Sequence, residues 1–438
     1  MSILTKEAAR SILEKVVSFV KADECSVTLN GTNEGNVRYA RNTINTSGLN
    51  STLTLNIQVS FGKKTGTAAI NEFDDASLQK AVRRAEELAQ LSPENPEYMS
   101  VLPPQNYVES KGYFQSTADI TPEYRAEVAA ASILPASEKD ITAAGFFNDV
   151  VSFDALMNSK GLFAYNINSN LDFTVTMRTN DGTGSGWATR DFNDVNRFDV
   201  KEASNIAIEK ALLSRTPKAI EPGKYTVILE PAAALGLLGP MLFSMGARQA
   251  DEGRSFLAQK GGGTKLGEKI VDERVTIYSD SLHPDLPSNT WSNDGLPINP
   301  STWVENGVVK NMFYTRYWAE QKGVAPMPFP GAAIMMGGDA SLAELIKNTQ
   351  KGVLVTNLWY IRSVDPQTLL YTGLTRDGTF YIENGQIQYP IKNFRFNESP
   401  IIMLNNLEEL GKQQRVNGNL IPSMRIRDFT FTSLSDAV

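Results

Sequence analysis

The chain has 438 residues, 41% hydrophobic and 21% charged, with a net charge of −7. That length exceeds one ordinary core and favours two or three domains of a globular protein. The acidic balance, with no cluster of Lys and Arg, argues against a broad phosphate-binding surface, and no run of about 18 apolar residues is present to span a membrane.

The amino-terminal stretch MSILTKEAARSILEKVVSFVKADE reads as an amphipathic helix. Thr5 caps it, and Ala8, Ile12, Leu13, Val16 and Val20 form its apolar face. It lacks the apolar block and small-residue cleavage site of a secretion signal. Strand-like segments follow, the clearest at Leu53, Leu55, Ile57 and Val59, which alternate with Thr54, Asn56, Gln58 and Ser60. A second helix starts at Asp74 or Asp75 with Leu78, Val82, Ala85 and Ala89 on one face, and the prolines of LSPENPEY close it. Residues 1–100 therefore read as a helix, an antiparallel meander and a packed helix.

VLPPQNYVESKGYFQSTADITP is a connector, and Pro122 after Thr121 opens a helix through about Ser137. Strand-like pieces run to Phe192. Asp199 with Glu202 resembles a capping box for a helix that turns Val200, Ala203, Ile206, Ala207 and Leu213 to a core. Residues 101–220 form a central α/β segment packed with the first unit. From residue 221 to 438 the chain is β-rich. WVENGVVKNMFY and YIENGQIQYPI each place Asn-Gly between β-prone runs, a hairpin signal because both turn residues need positive φ. SLAELIKNT and LNNLEELGKQQR read as helices, and SMRIRDFTFTSL as a closing strand. The expected fold is α+β: an amino-terminal part with an antiparallel sheet and packed helices, followed by a β-rich domain.

The chain has one cysteine, Cys25, and one histidine, His283. A single cysteine excludes an internal disulfide and fits a reducing compartment; with no signal sequence, the expected location is cytoplasmic. Most hydrolytic zinc sites use at least one imidazole, and Ser and Cys hydrolases lean on a His base. His283 would have to serve every such scheme alone.

VRYARNTI, KAVRRAEELAQLSP, GSGWATR, PGKYTVILEP, EGRSFLAQKGGGTKLGEKI, WVENGVVKNMFY and FYIENGQIQYPIKNFRF, in this order and spacing, make the chain resemble the TldD/PmbA (TldD/TldE) family over nearly its full length. The resemblance implies a metallopeptidase system for unfolded or modified peptides, in which a catalytic TldD-type subunit pairs with a TldE/PmbA-type subunit lacking the metal motif. The older family name, modulator of DNA gyrase, implies no DNA contact. Catalytic members carry His-Glu-x-x-x-His on the helix after the strand resembling TVILE, two imidazoles for zinc and a Glu for its water. Aligned without a gap, those positions fall on Gly239, Pro240 and Ser244. Gly has no side chain, Pro no acid, and a neutral Ser hydroxyl is a poor zinc ligand. The family's third ligand, a Cys near the carboxy terminus, has no counterpart after KQQRVNGN.

The resemblance therefore places this chain with the TldE/PmbA-like members. It implies no zinc of its own, zinc only in a TldD-type partner, and pairing with that partner or with itself as a dimer. An unfolded peptide is the expected ligand, with no nucleic acid and no membrane. Catalysis by the chain alone is left open, because a stand-alone hydrolase near His283 and a non-enzymatic scaffolding homodimer remain alternatives.

Other constellations have blander readings. Asp280, His283 and Asp285 in DSLHPD could hold a divalent metal, or form a polar turn before Pro284. QKGGGTKLGEK lacks the Gly-Lys-Ser/Thr of a phosphate loop and reads as a flexible flap. Ser255 lacks an evident base. Arg254 reads as an anion contact or an inter-domain ion pair. Trp187 in its glycine-rich turn, and Asp294, the acid remaining in WSNDGLP, are the other candidate peptide contacts. Tyr314, Tyr317 and Trp318 read as core or interface aromatics.

Overall fold

The computed structural model describes residues 3–329 and 331–435. Its amino-terminal half is one antiparallel sheet. The strands are β1 (Glu24–Ala40), β2 (Thr43–Phe61), β3 (Lys64–Ile70), β4 (Ile141–Asn158), β5 (Phe163–Thr179) and β6 (Ser185–Phe192), in the order β3-β2-β1-β4-β5-β6. The β1–β2 turn is tight because Arg41 and Asn42 both adopt positive φ, 54° and 58°, the twist a two-residue hairpin needs. The pairing of β1 with β4, Val27 opposite Met157 and Val37 opposite Phe147, joins residues 1–100 and the central segment in a single sheet.

Helices α1 (Lys6–Phe19) and α2 (Asp75–Leu91) cover one end of this sheet. The α1 face is rotated from the expected one. Ala9, Leu13 and Val16 are buried, Ile12 and Val20 are half-buried, and Ala8 is exposed. Asp74 caps α2 through the N–H groups of Ala76 and Ser77, and Leu78, Val82, Ala85 and Ala89 are buried.

After the short α3 (Gln115–Ala118), α4 (Pro122–Glu138) and α5 (Val200–Leu213) cover the other end. Asp199 accepts from the N–H groups of Lys201 and Glu202. Only half of the expected box forms, since the Glu202 carboxylate turns outward to Arg190. Ala203, Ala207 and Ala211 face the core, whereas Leu213 is exposed.

The carboxy-terminal half is an eleven-stranded mixed sheet. It begins with β7 (Lys224–Leu229), α6 (Pro231–Phe243), α7 (Ala247–Asp251), β8 (Ile277–Ser279), β9 (Ser301–Glu305) and β10 (Val308–Val309). Next come α8 (Arg316–Lys322), β11 (Ile334–Met335), α9 (Leu342–Lys347), β12 (Lys351–Asp365), β13 (Leu370–Glu383) and β14 (Gln386–Pro390). The half closes with β15 (Asn393–Glu398), α10 (Pro400–Asn405), β16 (Leu407–Val416) and β17 (Asn419–Ser435). Both Asn-Gly hairpins form, with φ of 50° and 78° at Asn306 and Gly307, and 52° and 74° at Asn384 and Gly385.

One expected helix is absent. LNNLEELGKQQR holds the end of α10 and then strand β16, which pairs antiparallel with β17. Its Glu, Leu, Lys and Gln residues favour helix locally, but strand pairing overrides that weak preference. Gly411 is suited to the packed strand, since a Cβ there would lie 2.3 Å from the Ser423 hydroxyl.

The apolar segment after β7 is α6. Pro231 at its first position suits a helix start. Ala233, Ala234, Leu237, Leu238, Met241 and Leu242 are buried in the largest core cluster, together with Met424, Phe429 and Phe431 of β17. Among the described residues no helix is long and apolar enough to cross a membrane.

Candidate functional site

A cleft of about 790 Å³ opens between the two halves. One wall comes from the ends of β1, β2 and β4 and from the connector at residues 97–102. The other comes from the end of α6, the start of α7, the turn at residues 293–294, residues 313–318 and Phe329. A cavity of this size suits a small ligand or several residues of a peptide.

Charged groups bind the walls together. Arg248 of α7 donates from Nη1 and Nη2 to the two carboxylate oxygens of Glu97, at 2.9 and 2.8 Å, and from Nε to Glu252 at 2.9 Å. These carboxylates raise the guanidinium above its ordinary value, with Glu97 the larger influence. Trp318 is fixed through Nε1 to Asp251 at 2.7 Å, and it lines the cleft with Tyr317. Arg316 enters from the start of α8 and donates to the Ser100 carbonyl across the gap.

An aromatic series runs from the core to the cleft. Buried Trp303 packs edge-on against Phe313 at 4.7 Å, Phe313 against Phe329 at 4.5 Å, and Phe329 against Phe243 at 5.9 Å. Phe243 ends α6 and is 77% exposed.

The sequence-derived site residues separate in space. Asp294 lines the cleft, its Oδ1 accepting from the Ser292 hydroxyl at 2.6 Å. Beside it the Tyr107 hydroxyl donates to the Gly295 carbonyl at 2.7 Å. Burial, and secondarily the Asp294 charge, push that phenol up to about 12. Trp187 lines a different cavity of about 450 Å³, between the β6–α5 face and the carboxy-terminal sheet. There Lys210 lies 2.7 Å from both carboxylate oxygens of Glu230.

Arg254 lines neither cavity. It pairs with Glu252, two residues away, so the ion pair between the halves expected of it is made by Arg248 instead. Phe243, Phe313, Phe329, Glu97, Arg248 and Arg316 were not singled out by sequence. Phe243 had the one available signal, an aromatic residue ending the apolar helix.

The DSLHPD loop is closed on itself. His283 Nδ1 accepts from the Asp285 N–H at 3.2 Å, Asp280 accepts from the Leu282 N–H at 2.9 Å, and Asp285 pairs with Arg197 at 2.7 Å. Among the described residues, no group of three or more His, Cys, Asp or Glu is placed to hold a metal ion.

Profiles of the PmbA/TldA metallopeptidase family match three consecutive stretches of the chain: domain 1 at residues 25–89, the central domain at 116–215 and the C-terminal domain at 222–433. The chain belongs to the PmbA/TldD family.

An uncharacterized protein of Methanocaldococcus jannaschii is 28% identical over 328 residues, covering 73% of this chain and 71% of that protein. Metalloprotease PmbA of Escherichia coli O157:H7 is 22% identical over 455 residues, covering 96% and 97%. The crystal structure of TldE from Thermococcus kodakarensis shares the fold, with a TM-score of 0.88 at 19% identity over 97% of this chain and 99% of that one.

Within this PmbA/TldD chain, the three positions that the resemblance aligns with the family's metal motif lie in the last turns of α6 and at its cap, Ser244, and none of them is among the residues that line the cleft. Gly239 carries no side chain, and a Cβ there would meet only Leu235, at 3.9 Å. Pro240 has no acid, and its carbonyl accepts the Ser244 hydroxyl at 2.8 Å. That bond turns the only polar side chain of the three back onto its own helix. The donor set does not fit zinc, which takes Cys, His or carboxylate ligands.

Proposed function

We propose that this chain is the TldE/PmbA-like, metal-free subunit of a peptidase pair. It holds an extended peptide in the cleft between its halves and docks with a TldD-type subunit that supplies the zinc. The observation that carries this reading is the conjunction at the end of α6. A cleft of peptide size opens beside Phe243, with arginines and exposed aromatics in its lining, while the three positions aligned with the metal motif on the same helix end offer no ligand. Such a cleft binds and positions a chain without cutting it. Main-chain hydrogen bonds to the peptide give the affinity, because they are indifferent to sequence. The single buried cysteine is at home in a reducing cytoplasm.

The test is to purify the protein alone and together with a TldD-type protein from the same genome, then measure zinc content and peptidase activity. The expected result is zinc and cleavage only in the mixed sample, with a size in solution that reports a mixed pair. Stoichiometric zinc or robust cleavage by the chain alone overturns the proposal.

A further inference from the structure

The cleft contains an unequal set of charges, and the inequality says which end of a peptide it takes. Four charged side chains line it: Glu97, Arg248, Asp294 and Arg316. Glu97 and Arg248 neutralise one another in a two-bonded pair. Arg316 makes no ion pair among the described residues, and its one hydrogen bond there goes to the neutral Ser100 carbonyl. A guanidinium carries five N–H donors in a planar fork, so Arg316 lines the cleft with most of its donors unused by the described residues. Half-buried and unneutralised, it is matched to a planar carboxylate bound through two parallel hydrogen bonds. Asp294, the remaining acid, disfavours an anion beside itself and leaves Arg316 as the place for one.

The same lining presents bare aromatic surface. Phe243 is 77% and Phe329 47% exposed. Through Phe313 they are anchored to buried Trp303, so the shelf is held in place at its inner end. Covering such rings with an apolar group is favourable by roughly 25 cal/mol per Å², and aromatic partners add edge-on packing.

We infer that the cleft reads the carboxy-terminal residue of its peptide: Arg316 takes the terminal carboxylate, and the Phe243–Phe329 shelf takes a bulky apolar last side chain. An internal Asp or Glu also offers a carboxylate, but brings no apolar group on the same residue. A terminal Phe, Leu or Met brings both. This inference rests on the peptide-holding reading above and narrows it to a substrate class.

The test uses the full-length chain and short peptides labelled at the amino end, with binding followed by fluorescence anisotropy. The peptides end in Phe as the free acid, in Phe as the amide, in Gly as the free acid, or in Phe amide with an internal Glu. The free acid ending in Phe is expected to bind about tenfold more tightly than its amide or the internal-Glu peptide, a difference near 1.4 kcal/mol. Arg316→Gln removes that difference, and Arg316→Lys, which keeps the charge without the fork, retains part of it. Phe243→Ser lowers the preference for Phe over Gly at the last position. Equal binding of acid and amide by the unaltered protein, or a preference that survives Arg316→Gln, overturns the inference while leaving peptide holding intact. Absence of binding by every peptide removes both.

Discussion

Arg415, near the end of β16, donates from Nε to Oδ2 of Asp191 in β6 at 2.8 Å and so ties the carboxy-terminal sheet to the outer strand of the amino-terminal one. Both residues are buried, at 9% and 3% exposure. The guanidinium also donates to Asn193 at 2.7 Å and to the Asp285 carbonyl at 2.9 Å, and the Gly418 N–H donates to the same Asp191 oxygen at 2.9 Å. Removing the cation leaves a buried carboxylate without its counter-charge, a change that costs about 3–5 kcal/mol. Arg415→Met is therefore expected to lower the urea midpoint of the whole chain by that equivalent. Unchanged unfolding curves would mean that the clamp contributes nothing.

The clamp also sets a pH dependence. Asp172 of β5 stands directly opposite Asp191 in the strand register. Burial, and then the Asp191 charge, push its carboxyl up to about 6, against the opposing influence of Arg415 and Asn170. An acid whose pKa is higher in the folded state binds more protons there. Its contribution favours folding below the unfolded value of 3.8 and is lost as pH rises from about 4 to about 6. Asp172→Asn removes that loss. At pH 7.5 it is expected to stabilise the protein by about 1–2 kcal/mol relative to the unaltered chain, and at pH 4 by little. Urea titrations of both proteins at the two pH values read the difference directly.

Both Asn-Gly hairpins and the helix caps at Thr5, Asp74 and Thr121 depend on neighbours within a few residues. Those features were legible from sequence. The β16 strand was not, because its residues favour helix and only β17 makes it a strand. Nor was the cleft, whose pairs Arg248–Glu97 and Arg316–Ser100 join residues 151 and 216 positions apart. Trp187 and Asp294 looked alike as candidates in glycine-containing turns, yet Trp187 lies in strand β6, paired opposite Thr176, and the two residues line different cavities. That Gly239, Pro240 and Ser244 carry neither imidazole nor carboxylate is a fact of the sequence and needs no fold.

Glu24 anchors the connector that forms one cleft wall. Its carboxylate accepts from the Tyr98 hydroxyl at 2.6 Å and the Val101 N–H at 3.0 Å, bonds Ser100, and pairs with Lys160 at 2.8 Å. Burial would raise this acid, but the four partners, Lys160 foremost, outweigh it and hold it at about 2. The stabilisation is present above the ordinary value of 4.5 and is lost as pH falls from there towards 2. Lys160 is 42% exposed, so solvent screening limits the effect. Glu24→Gln is expected to cost about 1 kcal/mol at pH 7. It should also raise amide hydrogen exchange selectively at residues 98–102, read by mass spectrometry. Exchange unchanged there would show that the wall is held by other contacts.

Two glycines should respond in opposite senses to the same added methyl group. Gly186 in β6 lies against α5, where a Cβ would sit 2.1 Å from the Ala207 carbonyl and 2.5 Å from the Ala211 nitrogen. Both neighbours are helix backbone and cannot swing aside, so Gly186→Ala is expected to cost about 2–3 kcal/mol by forcing helix and sheet apart. Gly239 sits inside α6 with ordinary helical backbone, and the nearest atom a Cβ would meet is Leu235 Cδ1, at 3.9 Å. Alanine there loses less backbone entropy on folding, so Gly239→Ala is expected to stabilise by about 0.5–1 kcal/mol. Thermal melts of the two variants give the signs. A Gly239→Ala protein that gains stability and keeps its peptide affinity marks this position as one where the fold has room for a side chain that the peptide-holding cleft does not use. Lost affinity with intact folding would place the glycine in direct contact with the ligand.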